Sequence, residues 1–500
     1  MTVPLKINVL PEPKVQFSDG KTDVDPRRGL EKFKPADYLG ERKITLGVVG
    51  LKDDTEAAAG WLGRFSRFSP GQEKNSKRYR DWPGLNTALG AEFRLPKRLQ
   101  RVVNQGQYSL AMKRAKIGDG LQDLVDLYAD KVASLLDDDG PDCIIVCIPS
   151  ELGDLRVSNP SLNAEERRAL EIIQREEISD QLALFQPTAE ELKAARALYS
   201  LAEDLLFRTF YRALKAKVMS LPNAVPIQVL RRDTIERPDS SGQSHATRMW
   251  NIATSIYYKA KGIPWRPAEL PRNVCFVGIT FHHMKRRGGH LVYASVAQAY
   301  STELDPFALK GANIDHDQKK DRQTYLNSAQ AKDLLRKVID AYEERAGVLP
   351  DRVVIHKTTR YMEEEEQGFS EAVEGVVPKL DLIWIRPTSF RVVRKGQEEP
   401  WRGTVCSLDD KNYLFTSGYV PWWNEYPGAH IPAPLEIGSA FETDILARAK
   451  EILALTKMNW NSSDGVGSYP ITLLFAKRVG ELMCEFGKDD SPNPSYRFYV

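Results

Sequence analysis

Between residues 205 and 265, five side chains stand at spacings that bring hydrogen-bond donors together without a carboxylate. Tyr211 and Lys215 are four apart in the helical pattern LLFRTFYRALKAKVM, so both leave the same face about one turn apart. Gln228 lies in VPIQVL, a short apolar run that reads as a buried strand entered at Pro226. Asn251 and Lys259 are eight apart, roughly two helical turns, and also share a face. A phosphate offers only acceptor oxygens and negative charge; a phenol, two ammonium groups and two amides complement it. Taken singly, Tyr and Lys at this spacing are common on solvated helices. The signal lies in the order of the parts: Y-x3-K on a helix, Gln in a strand, then N-x7-K-x-x-G ahead of Pro264-Trp265.

Positioning such a set takes alternating strands and helices. ITLGVVGL (44–51) and CIIVCIPS (143–150) are continuous apolar runs of the kind buried in parallel sheets, with a helix expected over 121–136 between them. The glycines of the first run do not make G-x-G-x-x-G, so a dinucleotide fingerprint is absent. Asp137-Asp138-Asp139-Gly140 lacks the spaced ligands of a calcium loop and reads as a turn. Residues 151–206 read as a helical insertion: Asn163-x-x-Glu166 and Thr188-x-x-Glu191 resemble capping boxes opening helices over 164–182 and 189–217. Further strands follow at 274–281, 289–300, 352–357, 382–387 and 413–418, with a helix over 328–345 and a loop and helix over 456–483. Residues 1–40 read as a Pro-rich, loop-like entry.

Composition narrows the class. A chain of 500 residues has room for two to four domains, and 42% hydrophobic with 28% charged residues is ordinary for a globular protein. No apolar run approaches the roughly 18 residues that span a bilayer, and no signal peptide is read at the start. The five cysteines lack zinc spacing, so they are expected to be reduced core residues of a cytoplasmic protein. With 70 basic against 68 acidic residues, any nucleic-acid surface must be a local patch. One stretch qualifies. From Arg94 to Lys116 there are seven bases and no acid, among them Lys97, Arg98, Arg101, Lys113 and Arg114. A solvated helix face is the ordinary reading of such a run; the complete absence of acid favours a surface for nucleic-acid backbone.

The donor series resembles the MID domain of Argonaute proteins, and the second half resembles their PIWI domain through VGIT, IHKT, T-K-M-N-W-N and the Pro-led LLFAK helix. The resemblance implies a Rossmann-like α/β MID domain (41–265, after a linker at 1–40) followed by an RNase-H-like PIWI domain (266–500). It implies that Tyr211, Lys215, Gln228, Asn251 and Lys259 hold the 5′-phosphate of a guide strand. The family's K-x-G-G reads Lys259-Ala260-Lys261-Gly262 here, which leaves Lys259 and Lys261 as rivals, with Lys259 favoured. For Val500 it implies a carboxylate turned towards the phosphate, with Mg2+ held between them; a simple docked terminal strand is the other reading.

Slicing members of the family carry carboxylates where this chain reads Thr280 and Thr358, and an Asp or His where it reads Lys477. Two-metal phosphodiester hydrolysis needs those carboxylates, and neither hydroxyls nor an ammonium replaces them. Glu363 to Glu366 read as the acidic start of a helix rather than a rebuilt site. His282, His283 and His290 lack a third ligand at metal spacing. Thr456, Ser462 and Ser463 read as turn caps or as phosphate contacts. The resemblance therefore implies a short prokaryotic Argonaute that binds guide RNA and target single-stranded DNA without cutting. It further implies a heterodimeric partner, an APAZ segment fused to a TIR or sirtuin-like NAD-consuming domain, which oligomerises and depletes NAD when an invader is detected. Two other readings remain: an active metal-dependent nuclease of the same fold, and an α/β enzyme that binds a free nucleotide.

Overall fold

A computed structural model describes residues 5–118, 120–136, 140–158, 168–169, 172, 190, 207–238, 243–286, 289–300, 306–314, 324–396, 399–486 and 493–500. The chain opens on β1 (Leu5–Val9), whose partner strand comes some 400 residues later. A parallel sheet follows: β2 (Arg42–Gly50), β3 (Ala91–Arg94), β4 (Gln100–Val102), β5 (Cys143–Ile148) and β6 (Ile227–Arg231). Its order is β6-β5-β2-β3, with β4 also beside β2. All six residues of β5 are buried, as the unbroken apolar run demands of a strand covered on both faces.

Among the described residues the second sheet has nine strands. β7 (Val274–Arg286), β8 (Gly289–Tyr300) and β9 (Phe307–Ile314) form an antiparallel meander, while β10 (Arg352–Lys357) and β11 (Lys379–Pro387) continue from β7 in parallel. β12 (Thr404–Leu408), β13 (Lys411–Leu414) and β14 (Leu435–Ser439) complete the order β1-β12-β13-β14-β11-β10-β7-β8-β9. The central order β9-β8-β7-β10-β11 is that of an RNase-H-like fold, so the α/β class expected from the sequence holds for both sheets.

Two local readings change. Residues 1–40 are more than a loop: besides β1 they form the helix Pro26–Phe33, whose cap Asp25 accepts from Arg27 N at 3.0 Å and Arg28 N at 3.3 Å. An Asp followed by Pro at the first helical position is a helix start. Glu12 from the same segment lies between two buried cations, 2.6 Å from Lys457 Nζ and 3.2 Å from Arg402 Nε. The helix expected over 189–217 does not run unbroken into Tyr211. Phe207–Thr209 is extended and pairs with Arg156–Ser158, and Thr209 then caps a new helix, Phe210–Met219. Residues 159–167, most of 170–206, and Asp137 to Asp139 lie outside the described residues. Among the described residues no helix is long and apolar enough to cross a membrane.

Where the two sheets' layers meet, aromatic rings interlock. Tyr258 on the helix His245–Lys259 stacks on Trp460 at 4.2 Å, and Tyr496 meets Phe475 on the helix Ile471–Met483 edge-on at 3.8 Å. Arg497 donates to the carbonyls of Tyr258 and Gly262, so the end of the chain is plugged into the first half. The helix Ile471–Met483 starts directly on the second sheet. Thr472 Oγ1 lies 2.9 Å from His356 Nδ1, and burial pushes that imidazole down to about 3, keeping it neutral. A Cβ on Gly278 would stand 2.2 Å from Thr472 O. Gly278→Ala should therefore destabilise the fold by about 1–3 kcal/mol through overpacking. The loss should appear as a lower urea midpoint with unchanged slope.

Candidate phosphate-binding site

The helix Phe210–Met219 presents Tyr211 and Lys215, β6 presents Gln228, and the helix His245–Lys259 presents Asn251, Ser255 and Lys259 at successive turns. Lys215 and Lys259 are each only 2% exposed. Lys259 Nζ donates to Gln228 Oε1 and, at 3.1 Å, to Ser255 Oγ. Lys215 Nζ donates to the main-chain oxygen of Val500 at 2.7 Å and lies 4.8 Å from the centre of the Tyr211 ring. Among the described residues neither lysine meets an Asp or Glu side chain. Two ammonium groups buried together with no Asp or Glu side chain beside them, and only the Val500 oxygen facing one of them, cost free energy unless they lose protons or gain an anion. Burial first, then Arg478, pushes Lys215 down to about 7; burial first, then Lys215 itself, does the same to Lys259.

Arg478 was not among the residues singled out in the sequence. It sits on the helix Ile471–Met483, half-buried, and its buried Nη1 has no hydrogen-bond partner among the described residues. Lys477, one residue earlier, is exposed. The pocket thus gathers three cations, an amide and a phenol from both halves of the chain.

The structure separates Lys259 from Lys261. Lys259 is buried in the pocket, whereas Lys261 is exposed at the helix end with φ of 65°. That left-handed conformation is the one glycine adopts freely, which accounts for a glycine-favouring position there. Asn251 shares the helix face with Lys259 but serves a different contact. Its Oδ1 accepts from Ser463 N at 3.0 Å and Ser463 Oγ at 2.7 Å, and Ser463 Oγ accepts from buried Arg27 Nε at 2.8 Å. Asn251 is a strut between helix and loop, one turn and more away from the ammonium groups. Ser463 and Thr456 are likewise engaged inside the protein, Thr456 Oγ1 accepting from Arg402 Nη2 at 2.6 Å.

The expected Mg2+ can be tested against this donor set. The oxygens of Gln228 and Val500 each already face an ammonium group. That arrangement fits an anion and does not fit a bare divalent cation, which needs several free oxygen ligands.

The basic run is acid-free in sequence but not in space. Arg114 pairs with Asp123 at 2.5 Å, Lys116 with Glu151 at 3.3 Å and Arg94 with Glu92 at 3.8 Å. Arg101 donates to Ser134 Oγ and to the carbonyls of Arg98, Gln100 and Ser134, so its guanidinium holds the local fold. Lys97, Arg98 and Lys113 remain on the exposed surface.

Thr280 and Thr358 follow the last register pair of β7 and β10, Ile279 with Lys357, on neighbouring parallel strands. The acidic helix start differs from its solvated reading at one position. Glu365 is fully buried, pairs with buried Lys357, and accepts from Leu326 N at 3.1 Å and Met362 N at 3.0 Å. Among the described residues no three His, Cys, Asp or Glu side chains group as a metal site. His282 Nε2 lies 2.8 Å from Cys484 Sγ, and the side chains of His283 and His290 lie outside the described residues.

A pH dependence follows from the pocket. With both lysines near 7 when the pocket is empty, a bound phosphate dianion raises them, so binding takes up protons as pH rises above 7. The preference for a 5′-phosphorylated over a 5′-hydroxyl oligonucleotide should fall between pH 7 and 9, by up to about tenfold per pH unit for each lysine. Isothermal titration in two buffers of different ionisation heat should detect the proton uptake. No uptake, with a flat preference, would place the lysines fully charged beforehand. For folding the sign is opposite: the unfolded lysines bind protons more tightly, so this pocket's cost to stability shrinks as pH rises above 7.

No protein-family model matches the sequence, and no curated protein is similar to it. Solved structures are similar in fold. Clostridium butyricum Argonaute, bound to a guide DNA and a 19-mer target DNA, is 17% identical with a TM-score of 0.57 over 96% of this chain and 53% of its own. Drosophila Piwi is 13% identical with a TM-score of 0.59 over 99% of this chain and 56% of its own. Aquifex aeolicus Argonaute is 13% identical with a TM-score of 0.53 over 100% of this chain and 57% of its own. This chain therefore spans little more than half the length of the structures it matches. Its fold is that of Argonaute and Piwi proteins, a MID-type α/β unit followed by an RNase-H-like PIWI unit.

Proposed function

We propose that the chain grips the 5′-phosphate of a guide strand, RNA by preference, and presents that guide for pairing with invader single-stranded DNA. One observation carries the reading: Lys215 and Lys259 are buried together with no Asp or Glu side chain, beside an arginine whose Nη1 has no partner among the described residues. A terminal phosphate carries nearly two negative charges near neutral pH and supplies the acceptors this cluster lacks. On binding, Lys259 turns from Gln228 towards the phosphate and Arg478 gains its partner. Lys215 already neutralises the Val500 oxygen, so no metal ion is needed to bring that oxygen near an anion. Tyr211, 44% exposed at the mouth, offers a ring face to the first nucleotide.

The chain recognises and does not cut. Thr280 and Thr358 stand where the chemistry needs carboxylates, Lys477 where it needs an Asp or His, and Glu365 is committed to Lys357. Output then belongs to a second polypeptide in the cytoplasm, an APAZ-containing effector with a TIR or sirtuin-like domain, which consumes NAD once the guide has paired with its target.

Hydrogen bonds to charged groups contribute roughly 1.5–3 kcal/mol each. Lys215→Ala, Lys259→Ala and Arg478→Ala should each weaken binding of the 5′-phosphorylated guide by about one to two decades. The 5′-hydroxyl guide should be unaffected, and a labelled matched target should stay intact in Mg2+ or Mn2+. Equal affinity of the wild type for both guides would refute the pocket's role; guide-dependent cleavage that survives repurification would make the chain a nuclease.

A further inference from the structure

Lys259 is held from behind by a hydroxyl with one proton and three neighbours. Ser255 Oγ accepts from Lys259 Nζ at 3.1 Å and lies 3.0 Å from Gln228 Oε1 and 3.0 Å from Asn461 Oδ1. A serine hydroxyl donates once, so it serves only one of these two oxygens at a time. Ser255 is buried, and the choice is made inside the protein.

The two oxygens differ in what else they have. Gln228 Oε1 also accepts from Lys259 Nζ, and its amide is held in this orientation because Nε2 donates to Val229 O at 3.1 Å on β6. Asn461 Oδ1 has no other donor among the described residues. It sits half-buried in the loop between the helices Ile445–Leu455 and Ile471–Met483. With the ammonium on Gln228, the Ser255 proton goes to Asn461 and neither oxygen is left bare. The loop is otherwise closed on itself: Asn461 N donates to Asn459 Oδ1 at 3.2 Å, Ser462 N to Asn459 O at 3.1 Å and Val466 N to Asp464 Oδ1 at 3.1 Å. It meets the helix His245–Lys259 a second time at Asn251, which stands away from the ammonium groups; Ser255 touches one of them.

We propose that Ser255 is a positioning residue that couples the phosphate pocket, through Asn461, to this loop of the second half. When a 5′-phosphate draws Lys259 away, Gln228 Oε1 loses its ammonium, the Ser255 proton turns to it, and Asn461 is released. Gln228 is pinned on its strand and needs the proton; Asn461, on a half-buried loop, can turn to water instead. The proposal rests on the phosphate reading above. Filling the pocket then loosens a loop that the phosphate never touches. The coupling is reciprocal: the bond that holds Asn461 to Ser255 opposes the phosphate, and removing that bond beforehand strengthens binding.

The test compares 5′-phosphorylated and 5′-hydroxyl oligonucleotides of one sequence on the full chain. Asn461→Ala should tighten binding of the phosphorylated form by about threefold to tenfold, the contribution of one neutral hydrogen bond, and leave the hydroxyl form unchanged, which also shows that the variant folds. Ser255→Ala should act the other way and weaken the phosphorylated form by at least as much, because Gln228 Oε1 then has no donor to replace Lys259. Ser255→Thr, which keeps the hydroxyl, should restore it. A merely structural role would weaken binding in both alanine variants. Hydrogen exchange read by mass spectrometry gives an independent measure on the wild type. With both oligonucleotides at saturation, the amides of residues 459–466 should exchange at least about threefold faster under the phosphorylated one, and Ser255→Ala should abolish the difference. Equal or weaker binding by Asn461→Ala, or loop exchange that ignores the phosphate, overturns the coupling and leaves the pocket standing. Equal affinity of the wild type for both oligonucleotides overturns the pocket and the coupling with it.

Discussion

Two ammonium groups buried side by side, with no Asp or Glu side chain to pair them among the described residues, set the terms for the rest of the molecule. Such a pair is tolerated only if the surrounding fold is stable enough to hold it dry. The fold meets that demand with walls from distant parts of the chain. The parallel sheet fixes Gln228, two helices fix the lysines, and the helix Ile471–Met483 brings in Arg478 from the other half. The aromatic contacts among Tyr258, Trp460, Phe475 and Tyr496 hold the two halves in the one relation that closes the pocket. Strain of this kind, offset elsewhere in the fold, is how binding sites are kept ready for a charge that has not yet arrived.

The second half uses its buried charges differently. On the strand that ends at Lys357, just before Thr358, Lys357 is matched by Glu365, and Arg352 is matched by Asp381 and Glu451. Each of these ions has its partner inside the protein, so none is left to hold a ligand. A pair such as Lys357 and Glu365 adds little net stability, yet losing either member would strand the other, so it fixes the local arrangement. Pairing satisfied around Lys357 and Arg352, and withheld around Lys215, Lys259 and Arg478 among the described residues, is what separates the scaffold from the candidate site.

Much of this was legible in the residues. The unbroken apolar runs announced parallel strands; helical spacing set Tyr211 beside Lys215 and Asn251 in line with Lys259, and the resemblance to the MID domain joined them to Gln228, so these residues could be singled out. Arg478 could not. The helix ITLLFAKRVGELM is apolar on most of its faces, so periodicity gives no stripe from which to decide whether Lys477 or Arg478 turns inward. The partners of the basic run were hidden for another reason: Asp123 and Glu151 lie outside it in sequence and reach it only through the fold. Two misreadings were avoidable. Asp25-Pro26 is a helix-start signal inside a stretch taken for loop, and Glu365 falls four residues before buried Phe369, on the inner face of its helix. The strut role of Asn251 depends on Arg27 and Ser463, some 220 residues away on either side, and no local pattern encodes it.

The plugging of Val500 against Lys215 has a consequence for the protein's birth. A ribosome adds roughly 5–20 residues per second, and domains fold as they emerge. The parallel sheet and its helices are complete in sequence by residue 259, long before Arg478 and Val500 exist. During that interval the lysines stand in a half-built, hydrated cleft and keep their full charge. Only when the last helix and the turn at Tyr496–Phe498 dock does the cleft dry out and tighten. Closing of this cleft is thus a late event of translation, set by the last helix and turn rather than by the sheet that carries Gln228.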